Sequence, residues 1–328
     1  VSATATSLDE LLAGATERTA MKSADSKSGA VMERVRIDGE PFVLKHLHVD
    51  DDWIQRCTGD LGCRPAVLWR AGVLDDLPAC IDHATVGMAT GLGRNGWGAA
   101  LLMRDVGPWL VPEGDEAIPL DQELRFLDHM AALHAHLWGW VDAIDLMPAN
   151  HRYLCFCAAN MATETARPDA EPVPRIATEG WARFESVSAL ASEVLELRGA
   201  PWPLVDALDA TPQTFLHGDW KMGNLGSHPD GRTILIDWAV SGRGSPASEL
   251  AWYLSLNAAR LPHSKEDAID AYASSLRGHG IATDGWWEAA LDLALLGGLV
   301  QFGWEKALGD RNELAWWEDR ARAGLARL

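Results

Sequence analysis

Within the segment 214–239, TFLHGDWKMGNLGSHPDGRTILIDWA, the triplet His217-Gly218-Asp219 is followed by four residues and then Asn224, and a β-rich run further on ends in Asp237. Phosphoryl transfer from a nucleotide requires this set of groups: a carboxylate at the acceptor hydroxyl, and oxygen ligands for the magnesium ions that bridge the phosphates. A tight loop lets Asp219 and Asn224 face one point, and Asp237 enters from a strand end, with Asp230-Gly231 supplying the turn between. Each residue taken alone has a plainer reading. An Asp in a Gly-rich loop is normally a turn former, and an Asp before Trp238 can act as a cap. Their common order and spacing is what points to chemistry. Upstream, the apolar run Phe42-Val43-Leu44 ends in Lys45, an ammonium for the phosphates. Just before that run, the polar stretch 22–29 (KSADSKSG) offers the backbone N–H groups of Ser26, Ser28 and Gly29 to the β- and γ-phosphates.

Elements of two kinds must hold these groups. The runs 31–37 and 41–47 are β-rich and flank Asp38-Gly39-Glu40, a strong hairpin signal. A short helix is expected over 66–73, and 99–103 reads as a buried strand that ends at Arg104-Asp105. From Leu120 onward the pattern is helical. Over 121–138, apolar residues at Leu124, Leu127, Met130, Ala131, Leu133 and Leu137 follow a period near 3.6. Further helices are expected at 181–197, 246–256, 265–277, 286–296 and 313–328, with a Pro-rich loop at 167–174 and one β insertion, 214–216 with 233–236. The reading is an α+β chain with two lobes: a small β-rich N-lobe over 1–105 that binds nucleotide, and a larger, mainly helical C-lobe over 106–328 that carries the catalytic loop. A connector lies near 104–110, and clefts between lobes are where small ligands usually bind.

Charge narrows the partners. The 328 residues carry 28 Lys+Arg against 47 Asp+Glu, a net charge of −19. Such a surface repels phosphate backbones and anionic lipid, which disfavours nucleic acid or a membrane as the main partner. It suits a cationic small molecule, and it also simply keeps a protein soluble. The five cysteines are odd in number and none sits in a C-x-x-C spacing, so reduced thiols in a cytoplasmic protein are expected. The opening VSATATSLDELL lacks a basic region followed by an apolar run, and the longest apolar stretch, 293–300, is too short to span a bilayer. Sixteen tryptophans are present, eight of them from Trp220 to Trp317. Trp286, Trp287, Trp304 and the adjacent Glu305 offer aromatic faces bordered by carboxylate, which would suit an amino sugar through stacking and ion pairing. The same residues can equally fill helix–helix interfaces.

These motifs resemble the aminoglycoside phosphotransferase family, within the protein-kinase-like superfamily that also holds choline, homoserine and some sugar kinases. His217, Gly218, Asp219 and Asn224 match its H-G-D-x4-N pattern, and Ile234-Leu235-Ile236-Asp237-Trp238 is similar to its I-D-W segment. Gly242-Arg243-Gly244-Ser245-Pro246-Ala247 is similar to the G-x-G-D-P-A continuation, Leu133-His134-Ala135 to a helix early in the large lobe, and Leu101 to Val106 to the hinge that grips the nucleobase. The resemblance implies an ATP- or GTP-dependent, magnesium-dependent kinase for a hydroxyl of a small molecule such as an aminoglycoside or amino sugar. In it Asp219 accepts or orients the hydroxyl proton, Asn224 and Asp237 hold magnesium, Lys45 contacts the α- and β-phosphates, and the backbone near Arg104 and Val106 reads the base. His217 braces the loop by hydrogen bonds.

Three departures stand out. The family pairs the strand Lys with a helix Glu, yet no glutamate lies between Lys45 and Asp105; Asp52 and Asp60 are the nearest substitutes. Ser245 replaces the Asp of G-D-P-A, leaving Glu249 as the next acid, an expected substrate contact. Lys221 sits on the catalytic loop, where it either neutralises the γ-phosphate or is a solvated loop residue. A metabolic kinase for choline, homoserine or a sugar is the second reading. A nucleotide-binding regulator without catalysis is a third, and the intact Asp219, Asn224 and Asp237 argue against it.

Overall fold

A computed structural model describes residues 3–21 and 28–328, so the expected phosphate contact Ser26 lies outside the described residues. By internal contacts the chain forms two compact units, Val1–Glu113 with Met222–Ala239, and Gly114–Lys221 with Val240–Leu328.

The first unit is built from β1 (Ala3–Ala5), α1 (Leu8–Leu11), β2 (Ala15–Met21), β3 (Met32–Ile37), β4 (Glu40–Leu47), α2 (Trp53–Thr58), α3 (Arg64–Arg70), β5 (Ile81–Asp82), β6 (Thr85–Leu92) and β7 (Gly98–Arg104). Six strands form one sheet in the order β1-β6-β7-β4-β3-β2, antiparallel except for the β1–β6 pair. The expected hairpin is β3–β4. Ile37 pairs with Glu40 across a two-residue turn in which Asp38 and Gly39 have φ of 52° and 85°, the mirror-image turn whose twist matches the strands. One face of the sheet packs Leu44, Ala100, Leu102, Val35 and Ala89 against Ala5, Leu11 and Leu12. The other packs Leu47, Met88, Ala99 and Leu101 against Cys63 and Ala66 beneath α3. That helix starts earlier than expected because Pro65 suits its first turn, and it stops before Gly72, which has a φ of 71°. β1, α1 and β2 carry little sequence signal: the first two are three and four residues long, and β2 is mostly exposed and polar.

The segment 214–239 is shared between the units: β8 (Thr214–Leu216) belongs to the second, while β9 (Leu225–Ser227) and β10 (Thr233–Leu235) return to the first. There β10 pairs antiparallel with β9 and parallel with β5.

The second unit holds α4 (Leu120–His136), α5 (Ala149–Leu154), α6 (Ala158–Thr165), α7 (Pro172–Val187), α8 (Ala191–Gly199), α9 (Trp202–Asp209), β11 (Gly242–Gly244), α10 (Pro246–Asn257), α11 (Lys265–Gly278), α12 (Trp287–Leu308) and α13 (Arg311–Leu325), with β11 antiparallel to β8. The helix expected over 181–197 is two. The chain turns at Ser188 (ψ 135°), whose hydroxyl donates to the Glu318 carboxylate at 2.6 Å, and the Ala189 amide donates to the same oxygen at 2.9 Å. The expected loop 167–174 is shorter than its prolines suggest, because the first turn of α7 accepts them. α12 continues twelve residues past its expected end through glycines that make room for neighbours. A Cβ at Gly298 would lie 2.7 Å from the Trp317 ring, and one at Gly303 would lie 2.9 Å from Phe184. No helix among the described residues is long and apolar enough to cross a membrane.

One buried acid gives this unit a testable pH dependence. Glu123 on α4 is fully buried, receives the Tyr253 hydroxyl at 3.4 Å and has the His263 Nε2 atom 2.6 Å from its other oxygen. Burial pushes its carboxyl up to about 7, only partly opposed by the Tyr253 hydroxyl. With a raised native value the folded state keeps a proton that the unfolded chain releases. Its contribution is therefore full below the unfolded value and is lost as pH rises towards 7. Glu123→Gln is expected to be more stable than the parent by about 3 kcal/mol at pH 8, with most of that gain gone at pH 5. Urea unfolding at the two pH values checks this; an equal gain at both would contradict it.

Candidate active site

Lys45 lies in the central strand β4, opposite Leu101 of β7, on the sheet face that α3 covers. Only 12 % of its side chain is exposed, and its Nζ donates to Asp237 Oδ1 at 2.9 Å. Asp237 follows β10 with a φ of 66°, a conformation that few residues other than glycine adopt. The Ile236 amide just before it bonds the Asn224 carbonyl at 3.1 Å, which places the two expected metal ligands at neighbouring backbone positions. Asp52 caps α2, accepting from the Ile54 and Gln55 amides at 2.8 and 3.1 Å. It also bonds the Ser28 side chain and lies within electrostatic reach of Lys45 and Asp237; burial holds its pKa above the ordinary value. The Trp53 amide bonds the Ser28 carbonyl at 3.1 Å, so Ser28 is fastened to the start of α2, and Gly29 follows with a φ of 92°. The missing helix glutamate is thus answered: Lys45 takes Asp237, and the other candidate acid, Asp60, caps Arg64 instead. A carboxylate and an amide oxygen are the hard donors that magnesium accepts alongside water and phosphate oxygens, so the residues present fit that ion. Among the described residues no cluster of three or more His, Cys, Asp or Glu forms a closed metal cage.

In the second unit, Asp219 is held from several sides. Trp252 on α10 donates its indole N–H to Oδ1 at 3.0 Å, and the Lys221 Nζ lies 3.2 Å from Oδ2. The Asp219 amide bonds the His217 Nδ1 at 3.2 Å and the Ser241 hydroxyl donates to the His217 carbonyl at 2.9 Å, which is the bracing expected of His217. Gly218 has a φ of 86°, and a Cβ there would lie 2.2 Å from the Val240 carbonyl and 2.9 Å from an Arg152 nitrogen. Glycine is required at that point on both counts. Glu249 lies beneath the loop, fully buried, accepting from the His217 and Gly218 amides while His134 Nε2 contacts it at 2.9 Å. Burial alone would raise its pKa, but the His134 hydrogen bond and the charges around it hold it below the ordinary value. His134 is held in turn by the Tyr272 hydroxyl at 2.5 Å.

Residues 38–282 match the phosphotransferase enzyme family, a span that includes Lys45, Asp219, Asn224 and Asp237. The chain belongs to that family. The phosphotransferase is also similar to solved structures at low identity. It is 16 % identical to a microcompartment-associated aminopropanol kinase over 94 % of this chain and 90 % of that one, with a TM-score of 0.54. It is 11 % identical to LicA in complex with AMP, over 95 % and 94 % of the two chains, with a TM-score of 0.52; LicA is a choline kinase from Streptococcus pneumoniae. A thermostable mutant of the aminoglycoside phosphotransferase APH(4)-Ia is 12 % identical over 97 % of each chain, with a TM-score of 0.49. The first two likenesses show the fold, an α+β protein-kinase-like one. Among curated proteins no match was found.

The other expected contact residues of the phosphotransferase have the following surroundings. Glu249 cannot meet a substrate, because its side chain has no exposed surface and its oxygens are taken up by the His217 and Gly218 amides and His134. Arg104 pairs its guanidinium with Asp82 and its amide with the Ala84 carbonyl, and Val106 packs with Ala84 and Ile234 beside Met103, Leu110 and Ile236. Trp286 lies 5.7 Å from Trp138 and 5.7 Å from Trp287, and Trp287 lies 5.7 Å from Tyr272. Trp304 faces Phe156 at 5.5 Å, and Glu305 contacts Lys306 at 2.7 Å. Positions 287 and 304 are separated by about 25 Å along α12 at 1.5 Å per residue, so the four residues do not converge on one small acceptor. The sequence reading missed Trp252, Arg152 and the pairing of His134. Trp252 lies three positions after Glu249, one helical turn along, which was a usable signal once Glu249 was placed under the loop. Arg152 had no such signal.

Proposed function

We propose that this phosphotransferase moves the terminal phosphoryl group of ATP or GTP to a hydroxyl of a small cationic molecule, an aminoglycoside or another amino sugar. The observation that carries the reading is the Lys45–Asp237 ion pair at 2.9 Å beside the Asn224 turn, a phosphate-binding cation next to oxygen donors for magnesium. Lys45 would engage the α- and β-phosphates, and Asn224 and Asp237 would hold the magnesium. That ion, when bound, neutralises charge on the phosphates. Ser28 and Gly29 would offer backbone N–H groups to the phosphates, and the backbone at Arg104 and Val106 would meet the base. Asp219 would accept the acceptor's hydroxyl proton, and Lys221, already against Asp219, would balance charge on the transferring group. The net charge of −19 favours a cationic acceptor. Smaller amino alcohols such as choline meet the same condition and form the second reading.

The test is ADP release with magnesium-ATP, repeated with GTP, across aminoglycosides, amino sugars, choline, aminopropanol, homoserine and neutral sugars. Acceptor-dependent release with an amino-sugar compound is the expected result. Release only with choline or aminopropanol would move the assignment to the second reading. Nucleotide binding without turnover on any acceptor would favour a regulator.

A further inference from the structure

The contact between Trp252 and Asp219 has the geometry of a device for aiming a carboxylate. A carboxylate's terminal torsion is broad and nearly two-fold, so a loop Asp with only a flexible lysine beside it does not present one oxygen reliably. An indole has a single N–H, fixed in the plane of its ring, and donates in one direction. Trp252 stands on α10 rather than on the loop, and its ring is locked from two sides. Phe302 meets it edge-on at 4.9 Å, and the Arg152 guanidinium lies 5.9 Å from its centroid. Arg152 is buried and donates to the Gly218 and Val240 carbonyls at 3.1 Å each, so the group behind the indole also ties the residue before Asp219 to the segment that leads into β11. Burial lowers the Arg152 pKa from the ordinary arginine value, with the Glu249 charge opposing it most strongly. A side chain supported by a rigid helix and packed neighbours aims its partner better than one on a loop.

We propose that Trp252 is a positioning residue for the reaction: its N–H holds Asp219 Oδ1 so that Oδ2 is turned to the acceptor hydroxyl, with Arg152 and Phe302 keeping the indole in place. This rests on the phosphotransfer reading above. In the step it serves, the acceptor oxygen forms its bond to the γ-phosphorus and the bond from that phosphorus to the bridging oxygen breaks. The bridging electron pair leaves with the nucleoside diphosphate, and the hydroxyl proton passes to Oδ2 of Asp219. No other co-reactant is needed.

The test separates aiming from packing. Trp252→Phe keeps a ring between Arg152 and Phe302 and deletes only the donor. With an acceptor from the panel above, kcat is expected to fall about 30-fold while KM for nucleotide and acceptor stays within about twofold, the signature of an interaction that matters in the transition state. Trp202→Phe, on an exposed indole, serves as the control. An unchanged kcat, or a fall accompanied by a lower melting temperature and raised KM values, overturns the proposal. A second readout needs no acceptor and no Trp252 variant. In the intact 15N-labelled protein, the assigned Trp252 indole resonance is expected to move upfield in Asp219→Asn, more than any other indole signal. A resonance that does not move overturns the proposal whatever the turnover. If the parent turns over no acceptor but the resonance moves, the contact stands as geometry, while the phosphotransfer reading and with it the positioning role fail.

Discussion

Asp219→Asn is expected to lower turnover by about a thousandfold or more while nucleotide affinity changes by no more than a few-fold. The substitution preserves size and removes the charge. In the proposal the carboxylate receives the acceptor's hydroxyl proton, and a positioned group of this kind contributes about 100- to 10,000-fold in rate. The amide also disturbs its own setting. If its oxygen keeps the Trp252 indole at Oδ1, its NH2 must face the Lys221 ammonium, two donors against each other. Nucleotide binding depends in the proposal on Lys45, Asn224 and Asp237, which belong to the other compact unit. Steady-state turnover together with titration calorimetry of the nucleotide checks both halves. Turnover within tenfold of the parent would remove Asp219 from the acceptor, and lost nucleotide affinity would move its role to the phosphates.

The second large effect is expected at Glu249, which distinguishes a substrate contact from a structural one. Glu249→Gln leaves one carbonyl oxygen where two carboxylate oxygens served the His217 amide, the Gly218 amide and His134. The new NH2 then faces a donor in a site with no exposed side-chain surface. Hydrogen bonds to a charged acceptor are worth about 1.5–3 kcal/mol and a buried donor left unsatisfied costs about 1–3 kcal/mol, so a loss of about 3 kcal/mol in unfolding free energy is expected from urea unfolding. In the fraction that folds, a slack catalytic loop should lose about 100-fold in kcat through misplacement of Asp219. Because the native carboxyl is held below its ordinary value, its contribution is present above the unfolded pKa and is lost as pH falls through the native one. The stability gap between parent and variant should therefore close in acid. If Glu249 met a substrate, the variant would instead show a raised acceptor KM at unchanged stability.

The residues show why one part of this protein was readable from sequence and another was not. The β3–β4 hairpin is a local event: Asp38-Gly39 can take positive φ cheaply, and the alternating runs on either side then pair in register. The spacing of Asp219 and Asn224 is equally local, and family membership over residues 38–282 agrees with the resemblance read from it. Helix ends were less legible, because glycines and prolines have two uses. In α12 they admit Trp317 and Phe184 rather than ending the helix, and in α7 they start it.

Partnership across the chain was not legible at all. Lys45 and Asp237 are 192 positions apart, and no local propensity joins them; the absence of a nearby glutamate left the partner of Lys45 open until the sheet and the β9–β10 hairpin were placed in one unit. Glu249 read as a surface acid for a cationic acceptor, since a helix carboxylate is usually solvated. Tertiary structure buries it because two backbone amides and His134 converge there, and only a folded chain brings such donors together. The tryptophans followed the same rule. Their number was visible in the composition, but their ring partners depend on which helices pack, and packing separates Trp286 and Trp287 from Trp304 along α12 while setting Trp252 against Asp219. Sequence by itself determined the chemical inventory and its local spacing, because turns, strands and motif loops answer to near neighbours. Tertiary structure decided which carboxylate each cation meets and which acids are buried, because those energies come from groups distant in the chain.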